Sequence, residues 1–209
     1  MELKRFPLGF LWTNCYLLWD EDGAAFVVDP GGDPKEVMDF IELKGLKLHW
    51  VLLTHGHGDH LMGIEPLRKI ALNGVAIHAE DALCLTSASH NLSEHMAAPV
   101  EFSAAERLLK DGDRLQIGRM DVSVIYTPGH TLGGVCYFVE EGEQHLLLAG
   151  DTLFARSVGR TDLPGGDESI LMNSLRKLAK LSDDVPVYPG HGPDTRIGDE
   201  RRQNPFWPA

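Results

Sequence analysis

The segment VLLTHGHGDHLMG at residues 51–63 places four potential metal ligands directly after an apolar run. They are His55, His57, Asp59 and His60, and each is costly to bury without a partner. Two intervening glycines let the backbone turn tightly, so the first two histidines can converge on one ion. Asp59 and His60 then face another direction, which suggests a second ion. Four such side chains within six residues predict a metal-binding loop at the end of a strand.

Three more polar residues repeat this placement later in the chain, each beside a glycine and after an apolar strand. They are His130 in TPGHTLGG, Asp151 in LLLAGDTLF and His191 in VYPGHGP. Any one of them alone would be equally consistent with an ordinary turn. Together with the first loop they give seven potential ligands, enough for two four- or five-coordinate sites that share a bridging group.

The patterns around these loops divide the chain into two halves. The first half is predicted to contain a hairpin, a helix, a strand, a helix and a strand, at residues 15–30, 34–44, 48–54, 61–71 and 74–79. Asp33 is a suitable N-cap for the first helix, and Gly45 a suitable stop. The second half is predicted to contain a strand at 120–127, a hairpin at 134–150, a helix capped by Asp167 and a last strand at 185–190.

The apolar positions of this last helix are predicted to share one face, and they are Ile170, Leu171, Leu175, Leu178 and Leu181. Two sheets packed together, with helices outside them, would bury this arrangement of elements. We therefore expect an α/β fold.

The composition is that of one ordinary globular domain, predicted to span residues 1–209. The net charge of −12 makes nucleic acid a poor partner, because an acidic surface repels phosphate. Three widely spaced cysteines do not form a disulfide framework, which fits a reducing compartment. No apolar run approaches the ~20 residues of a spanning helix. We expect a cytoplasmic protein without a membrane partner.

The four ligand motifs, taken in order, resemble the motif set of the metallo-β-lactamase superfamily of metal-dependent hydrolases. The stretch GDTLFARSVGRTDLPGGD at 150–167 resembles the glyoxalase II (hydroxyacylglutathione hydrolase) branch, in its short bacterial type without the C-terminal helical domain. The resemblance implies an αββα sandwich of two mixed β-sheets flanked by helices. It also implies that one metal is held by His55, His57 and His130, and a second by Asp59, His60 and His191, with Asp151 bridging.

The implied reaction is hydrolysis of a small-molecule thioester of the S-lactoylglutathione type by a metal-bridging hydroxide. The implied cofactors are two divalent metal ions, zinc first, with iron or manganese as alternatives. Asp59 would both ligate a metal and orient the hydroxide, which makes it the catalytic residue. Arg160 lies where glyoxalase II enzymes contact the glutathione portion of the substrate, although a solvated loop arginine is an equally good interpretation.

Other functions remain open at this point. Persulfide dioxygenases share the fold and the GRTD loop but use a single iron, whereas this chain has a complete second set of ligands. Lactone, β-lactam or other ester hydrolysis uses the same motifs. A purely structural metal site would be closed, in contrast to the open one implied here.

Overall fold

The N-terminal half of the chain forms one mixed sheet in this computed structural model, which describes residues 1–95 and 99–208. Its strands lie side by side in chain order, and they are Glu2–Leu8 (β1), Thr13–Trp19 (β2), Ala24–Val28 (β3), Lys47–Leu52 (β4), Val75–His78 (β5) and Arg107–Leu109 (β6). The first three strands pair antiparallel, and β3 to β6 pair parallel.

The C-terminal half forms the second sheet. Its strands are Arg114–Ile117 (β7), Met120–Tyr126 (β8), Val135–Glu141 (β9), Gln144–Gly150 (β10), Pro186–Pro189 (β13) and Thr195–Arg196 (β14), with a small ribbon of Leu153–Phe154 (β11) and Ser157–Val158 (β12) outside the sheet. The spatial order is β14-β13-β10-β9-β8-β7. Neighbours pair antiparallel except β10 and β13, which pair parallel.

The two sheets pack face to face over an apolar core that includes Tyr16, Phe26 and Tyr137. Their outer faces are covered by helices, which are Lys35–Lys44 (α1), Ile64–Arg68 (α2), Ala82–Leu85 (α3), Glu168–Leu178 (α4) and Ile197–Gln203 (α5). The alternating side chains of β2 show why four layers are needed, since Tyr16 faces the other sheet and Leu17 faces the helices. The predicted αββα sandwich is confirmed.

Two predicted helix boundaries are confirmed in detail. Asp167 caps α4 by accepting a hydrogen bond from the backbone N–H of Ile170 at 3.0 Å. Gly45 ends α1 in the left-handed conformation, with φ of 64°. Asp33, predicted as the N-cap of α1, lies one residue before the observed N-cap, Pro34. Its carboxylate accepts a hydrogen bond from the backbone N–H of Lys35, so it forms a turn in front of the helix.

Two expectations were wrong, and two elements were not predicted. The helix predicted over 61–71 is only the five residues of α2, because Gly63 is tied by its N–H to the carbonyl of Pro30. Ile170 is 40% exposed and does not share the buried face of α4. The C-terminal tail, for which no element was predicted, forms β14 and α5, and α5 has a single large apolar anchor, Ile197.

None of the helices in the described ranges has the length and apolar character needed to cross a bilayer.

Candidate metal centre

The ligand-bearing loops meet at one edge of the sandwich. His55, His57, Asp59 and His60 follow β4, whereas His130, Asp151 and His191 follow β8, β10 and β13. The last three strands run in the same direction, so their carboxyl ends lie at the same edge of the second sheet. The loop after β4 meets them from the first sheet.

One cluster at this edge contains the side chains of His55, His57 and His130. Their potential ligand atoms lie within 4.8 Å of one another, and all three residues are buried. The Nε2 atoms of His55 and His130 have no hydrogen-bond partner among the described residues. Leaving such atoms unpaired inside a protein costs free energy. A bound cation would satisfy both, so the cluster fits a metal ion.

A second cluster contains Asp59, His60 and His191, again with ligand atoms within 4.8 Å of one another. The Nε2 atoms of the two histidines face each other at 3.3 Å, and Asp59 Oδ2 lies 3.3 Å from His191 Nε2. Two ring nitrogens and a carboxylate aimed at one point form a donor set that suits zinc, iron or manganese.

Asp151 lies between the two clusters. Its Oδ2 is 3.6 Å from Nε2 of His130 in the first cluster and 3.6 Å from Nε2 of His191 in the second. Its Oδ1 is 3.6 Å from Nε2 of His60 and lacks a hydrogen-bond partner in the described part of the chain. This placement is the one that a carboxylate shared by two ions requires.

Backbone carbonyls fix the orientation of two of the histidines. The Nδ1 atom of His130 lies 2.7 Å from the carbonyl oxygen of Arg160, and Nδ1 of His191 lies 3.2 Å from that of Leu11. A carbonyl can only accept, so each ring carries its proton on Nδ1 and presents the Nε2 lone pair to the centre.

Asp29 orients a third and a fourth histidine, and sequence reasoning missed it. Its Oδ2 lies 3.0 Å from His60 Nδ1 and accepts the Thr54 hydroxyl at 2.6 Å, while its Oδ1 accepts the Thr54 backbone N–H. The Thr54 hydroxyl in turn lies 3.1 Å from His55 Nδ1. One buried carboxylate therefore supports a ligand in each cluster. The only sequence signal was its position at the end of the β3 segment.

Asp81, which sequence reasoning also missed, joins the loops of the two sheets. Its carboxylate accepts the backbone N–H of Gly56 at 2.9 Å, that of Gly133 at 2.6 Å and the Thr131 hydroxyl at 2.8 Å. Gly56 lies in the loop of the first sheet, whereas Thr131 and Gly133 follow His130 in the second. Asp81 therefore fixes the distance between the two loops that supply the first cluster.

The two clusters differ in their affinity for protons. Burial lowers the pKa of His57 to about 3, so its ring is neutral at physiological pH. Burial also opposes protonation of His60, but the carboxylates of Asp59, Asp151 and Asp29 outweigh it and raise its pKa to about 10. Burial opposes ionisation of Asp59, but His60 and other nearby imidazoles hold the pKa of this carboxyl well below its usual range.

We expect the second cluster to lose metal affinity faster than the first as the pH falls. A metal ion must displace the proton of His60, whose pKa is about 10, whereas His57, with a pKa of about 3, is already neutral. From pH 8 to pH 6, the proton on His60 should lower affinity at the second cluster about tenfold per unit, and affinity at the first cluster should fall less steeply. Calorimetric zinc titrations in buffers of different ionisation enthalpy would measure the protons released. Equal proton release from both sites would contradict this expectation.

The structure does not bring the side chain of Arg160 into the clusters. Its guanidinium is exposed and donates to both carboxylate oxygens of Asp162, at 2.7 and 2.8 Å. Its backbone carbonyl, in contrast, holds His130. The loop is thus attached to the centre through its main chain, while its charge lies at the rim.

The sequence profile of the metallo-beta-lactamase superfamily matches residues 8–191. The probable metallo-hydrolase YqgX of Bacillus subtilis is 36% identical over 99% of this chain and 97% of its own length. The hydroxyacylglutathione hydrolase GloC of Haemophilus influenzae is 33% identical over 99% of this chain and 98% of its own.

Solved structures give a similar result. The crystal structure of the BLEG-1 B3 metallo-beta-lactamase has a TM-score of 0.93 and 36% identity, with complete coverage of both chains. That of TTHA1623 in a di-iron-bound form has a TM-score of 0.84 and 35% identity, over 97% of this chain and 99% of that one.

Proposed function

This chain belongs to the metallo-beta-lactamase superfamily of metallo-hydrolases, and from that premise we propose that it hydrolyses a small-molecule thioester of the hydroxyacyl-glutathione type. The observation that carries the proposal is the position of Asp151, within 3.6 Å of ligand atoms of both three-residue clusters. The 33% identity to GloC supports the thioester substrate.

The residues of the centre form two sets of candidate metal ligands. His55, His57 and His130 would hold one divalent ion, and Asp59, His60 and His191 a second, with Asp151 shared. When bound, such ions lower the pKa of a water molecule from 15.7 to about 7 and polarise a carbonyl oxygen.

Asp59 has a further role in this proposal. Its backbone carbonyl accepts the Thr13 hydroxyl at 2.9 Å, which fixes the residue at the rim of the second cluster. Because its pKa is held low, it remains a carboxylate and can accept a hydrogen bond from the attacking water, orienting that water toward the substrate carbonyl. A thiolate is a good leaving group because the pKa of an ordinary thiol is only about 8.5, so it can depart without a general acid and take up its proton from water afterwards.

The cysteines are poor alternatives as nucleophiles. Burial raises the pKa of Cys136 to about 11 and that of Cys84 to about 12, so neither is a thiolate near neutral pH. Cys15 is fully buried, and burial also raises its pKa. Attack by an activated water is therefore the chemistry that this site supports.

The proposed cofactors are two divalent ions, zinc first, with iron or manganese as alternatives. Histidine and carboxylate ligands accept all three. The di-iron-bound form of TTHA1623 shows that a relative holds two irons. Elemental analysis of protein purified without chelator should give about two ions per chain, and a reproducible single iron that survives His60→Ala would overturn the two-metal proposal.

With S-lactoylglutathione as substrate, we expect the protein to release free thiol without consuming oxygen. Thiol release is followed with a chromogenic disulfide and oxygen with an electrode, in the same reaction. Boiled protein and chelator-treated protein are the controls. Oxygen uptake with glutathione persulfide, at a rate above that of thioester hydrolysis, would instead establish the dioxygenase alternative.

We also propose that Arg160 attracts the anionic part of the thiol. Arg160→Ala should raise KM up to about tenfold and leave kcat within a few-fold, because it removes binding common to the ground and transition states. Added salt should narrow the difference in KM between wild type and variant, since the guanidinium is exposed. Arg156→Ala, which removes an exposed arginine in the turn between β11 and β12, is the matched control. A collapse of kcat at unchanged KM would assign Arg160 to bond breaking.

A further inference from the structure

A cavity of about 510 Å³ opens directly beside the metal centre. His57 of the first cluster is one of its lining residues. Leu83 and Cys84 of α3 form one wall, and Leu132, two residues after His130, forms another. A group that enters this cavity therefore lies next to a carbonyl held at the centre.

Part of the cavity wall is formed by exposed apolar side chains. Leu83 is 62% exposed and Leu132 is 55% exposed, although both are large apolar side chains next to a polar centre. Exposed apolar surface inside a concave site is typical of a ligand pocket. The cavity is therefore suited to an apolar group.

The formal charges on the cavity walls are negative. Glu80 is exposed at the mouth, and Asp81 lies in the wall with its oxygens accepting three hydrogen bonds. None of the described residues lining the cavity is a lysine or an arginine. Away from the metal centre, a carboxylate-bearing group would meet like charge on these walls, which carry no lysine or arginine among the described residues, so it would be disfavoured.

We infer that this cavity receives the acyl group of the substrate and selects uncharged, apolar acyl chains over anionic ones. The inference rests on the proposed thioester hydrolysis and adds the acyl class to it. A volume of about 510 Å³ accommodates a chain much longer than a lactoyl group.

The acyl side is favoured over the thiol side for a reason of charge. A thioester carbonyl has two substituents, and only one of them can occupy the cavity while the carbonyl carbon lies at the centre. A thiol of the glutathione type carries two carboxylates, which Glu80 and Asp81 would repel. The exposed guanidinium of Arg160 does not line this cavity, although Pro164 and Gly165, further along its loop, do. The charged thiol therefore extends toward the rim, and the acyl chain enters the cavity.

The first test varies the acyl group on a constant thiol. With glutathione thioesters, kcat/KM should rise at least tenfold from acetyl to hexanoyl, and succinyl should lie at least tenfold below butanoyl. Leu132→Arg adds a cation to the wall, so this variant should prefer the succinyl thioester to the butanoyl thioester. Leu43→Arg, at a leucine on α1 that is 80% exposed and does not line the cavity, is the matched control and should leave the series unchanged.

The second test does not depend on hydrolysis, because Cys84 is a reporter within the wall. It is partly exposed, whereas Cys15 and Cys136 are buried. Its pKa of about 12 makes alkylation slow, so labelling by iodoacetamide is followed at pH 9 by mass spectrometry, with Cys84→Ala to identify the labelled thiol. Hexanamide should slow the labelling at least threefold, and succinamate at the same concentration should not.

The outcomes separate the two proposals. Protection by hexanamide, without hydrolysis of any thioester by the metal-loaded protein, would overturn the proposed function and leave the pocket assignment in place. Hydrolysis that is insensitive to acyl chain and to Leu132→Arg, with no protection of Cys84, would overturn the pocket assignment alone. If Leu132→Arg changed kcat/KM only when the thiol was varied, the cavity would bind the leaving group. That result would also overturn the inference.

Discussion

Replacing Asp151 with alanine should lower kcat/KM for the thioester at least about a thousandfold, a loss of about 4 kcal/mol of transition-state stabilisation. The physical reason is that its carboxylate lies within 3.6 Å of ligand nitrogens from both clusters. Without that negative charge two cations would repel each other across the gap. We therefore expect metal content to fall from about two ions per chain to about one or fewer.

The same substitution should also destabilise the fold. Metal-binding free energy is partly folding free energy, so the Tm of the metal-loaded variant should fall by roughly 5 °C or more. Chelator treatment should bring the Tm values of wild type and variant close together, because both proteins then lack the ions. Asp162→Ala, at an exposed aspartate in the following loop, is the matched control and should keep its metals. An Asp151→Ala protein with two ions and a tenth of the activity would contradict the shared role of this carboxylate.

Replacing Asp29 with alanine should have the second largest effect, although this residue contacts neither substrate nor metal in the arrangement described. The substitution leaves the Thr54 backbone N–H and the Thr54 hydroxyl without their buried acceptor, and it removes the carboxylate that lies 3.0 Å from His60 Nδ1. Several unsatisfied buried groups together should cost about 2–4 kcal/mol of unfolding free energy. Loss of a residue that orients metal ligands typically costs 10–100-fold in metal affinity, and we expect a loss of about that size.

Two companion variants separate the roles of Asp29. Thr54→Val removes the hydroxyl between Asp29 and His55 Nδ1 but leaves the Asp29 carboxylate beside His60, so it should weaken the first cluster more than the second. Asp29→Asn keeps the volume but turns an amide N–H₂ toward one of the groups that face the carboxylate, so it should lie between wild type and Asp29→Ala. Stepwise metal titrations with denaturant unfolding provide the measurement. If Asp29→Ala lost stability but kept both metal affinities, Asp29 would be structural only.

The sequence indicated which side chains come together in the two clusters because the candidate ligands follow the exits of apolar strands. That local pattern is independent of how the strands pair, and His55, His130, Asp151 and His191 all follow it. The order of the motifs along the chain also indicated the family, and the division into two halves indicated two sheets. These features depend on neighbours within a few residues, which is the range that periodicity and motif spacing report.

Only the tertiary structure decided how those ligands are held. Asp29 meets Thr54 across 25 residues, Arg160 meets His130 across 30, and Asp81 meets Gly133 across 52. Each contact depends on the packing of separate loops at one edge of the sandwich, and a single aspartate after a strand carries no pattern that specifies its partner.

The same limit applies to the loop of Arg160 and to the cavity. The sequence placed Arg160 near the centre, but the bidentate pair with Asp162 is a matter of side-chain geometry. The cavity beside His57 exists because α3 and the loop after β8, from different halves of the chain, face each other across a gap. A gap has no sequence pattern of its own, since its shape is set by the packing of the two sheets and the loops that extend beyond them.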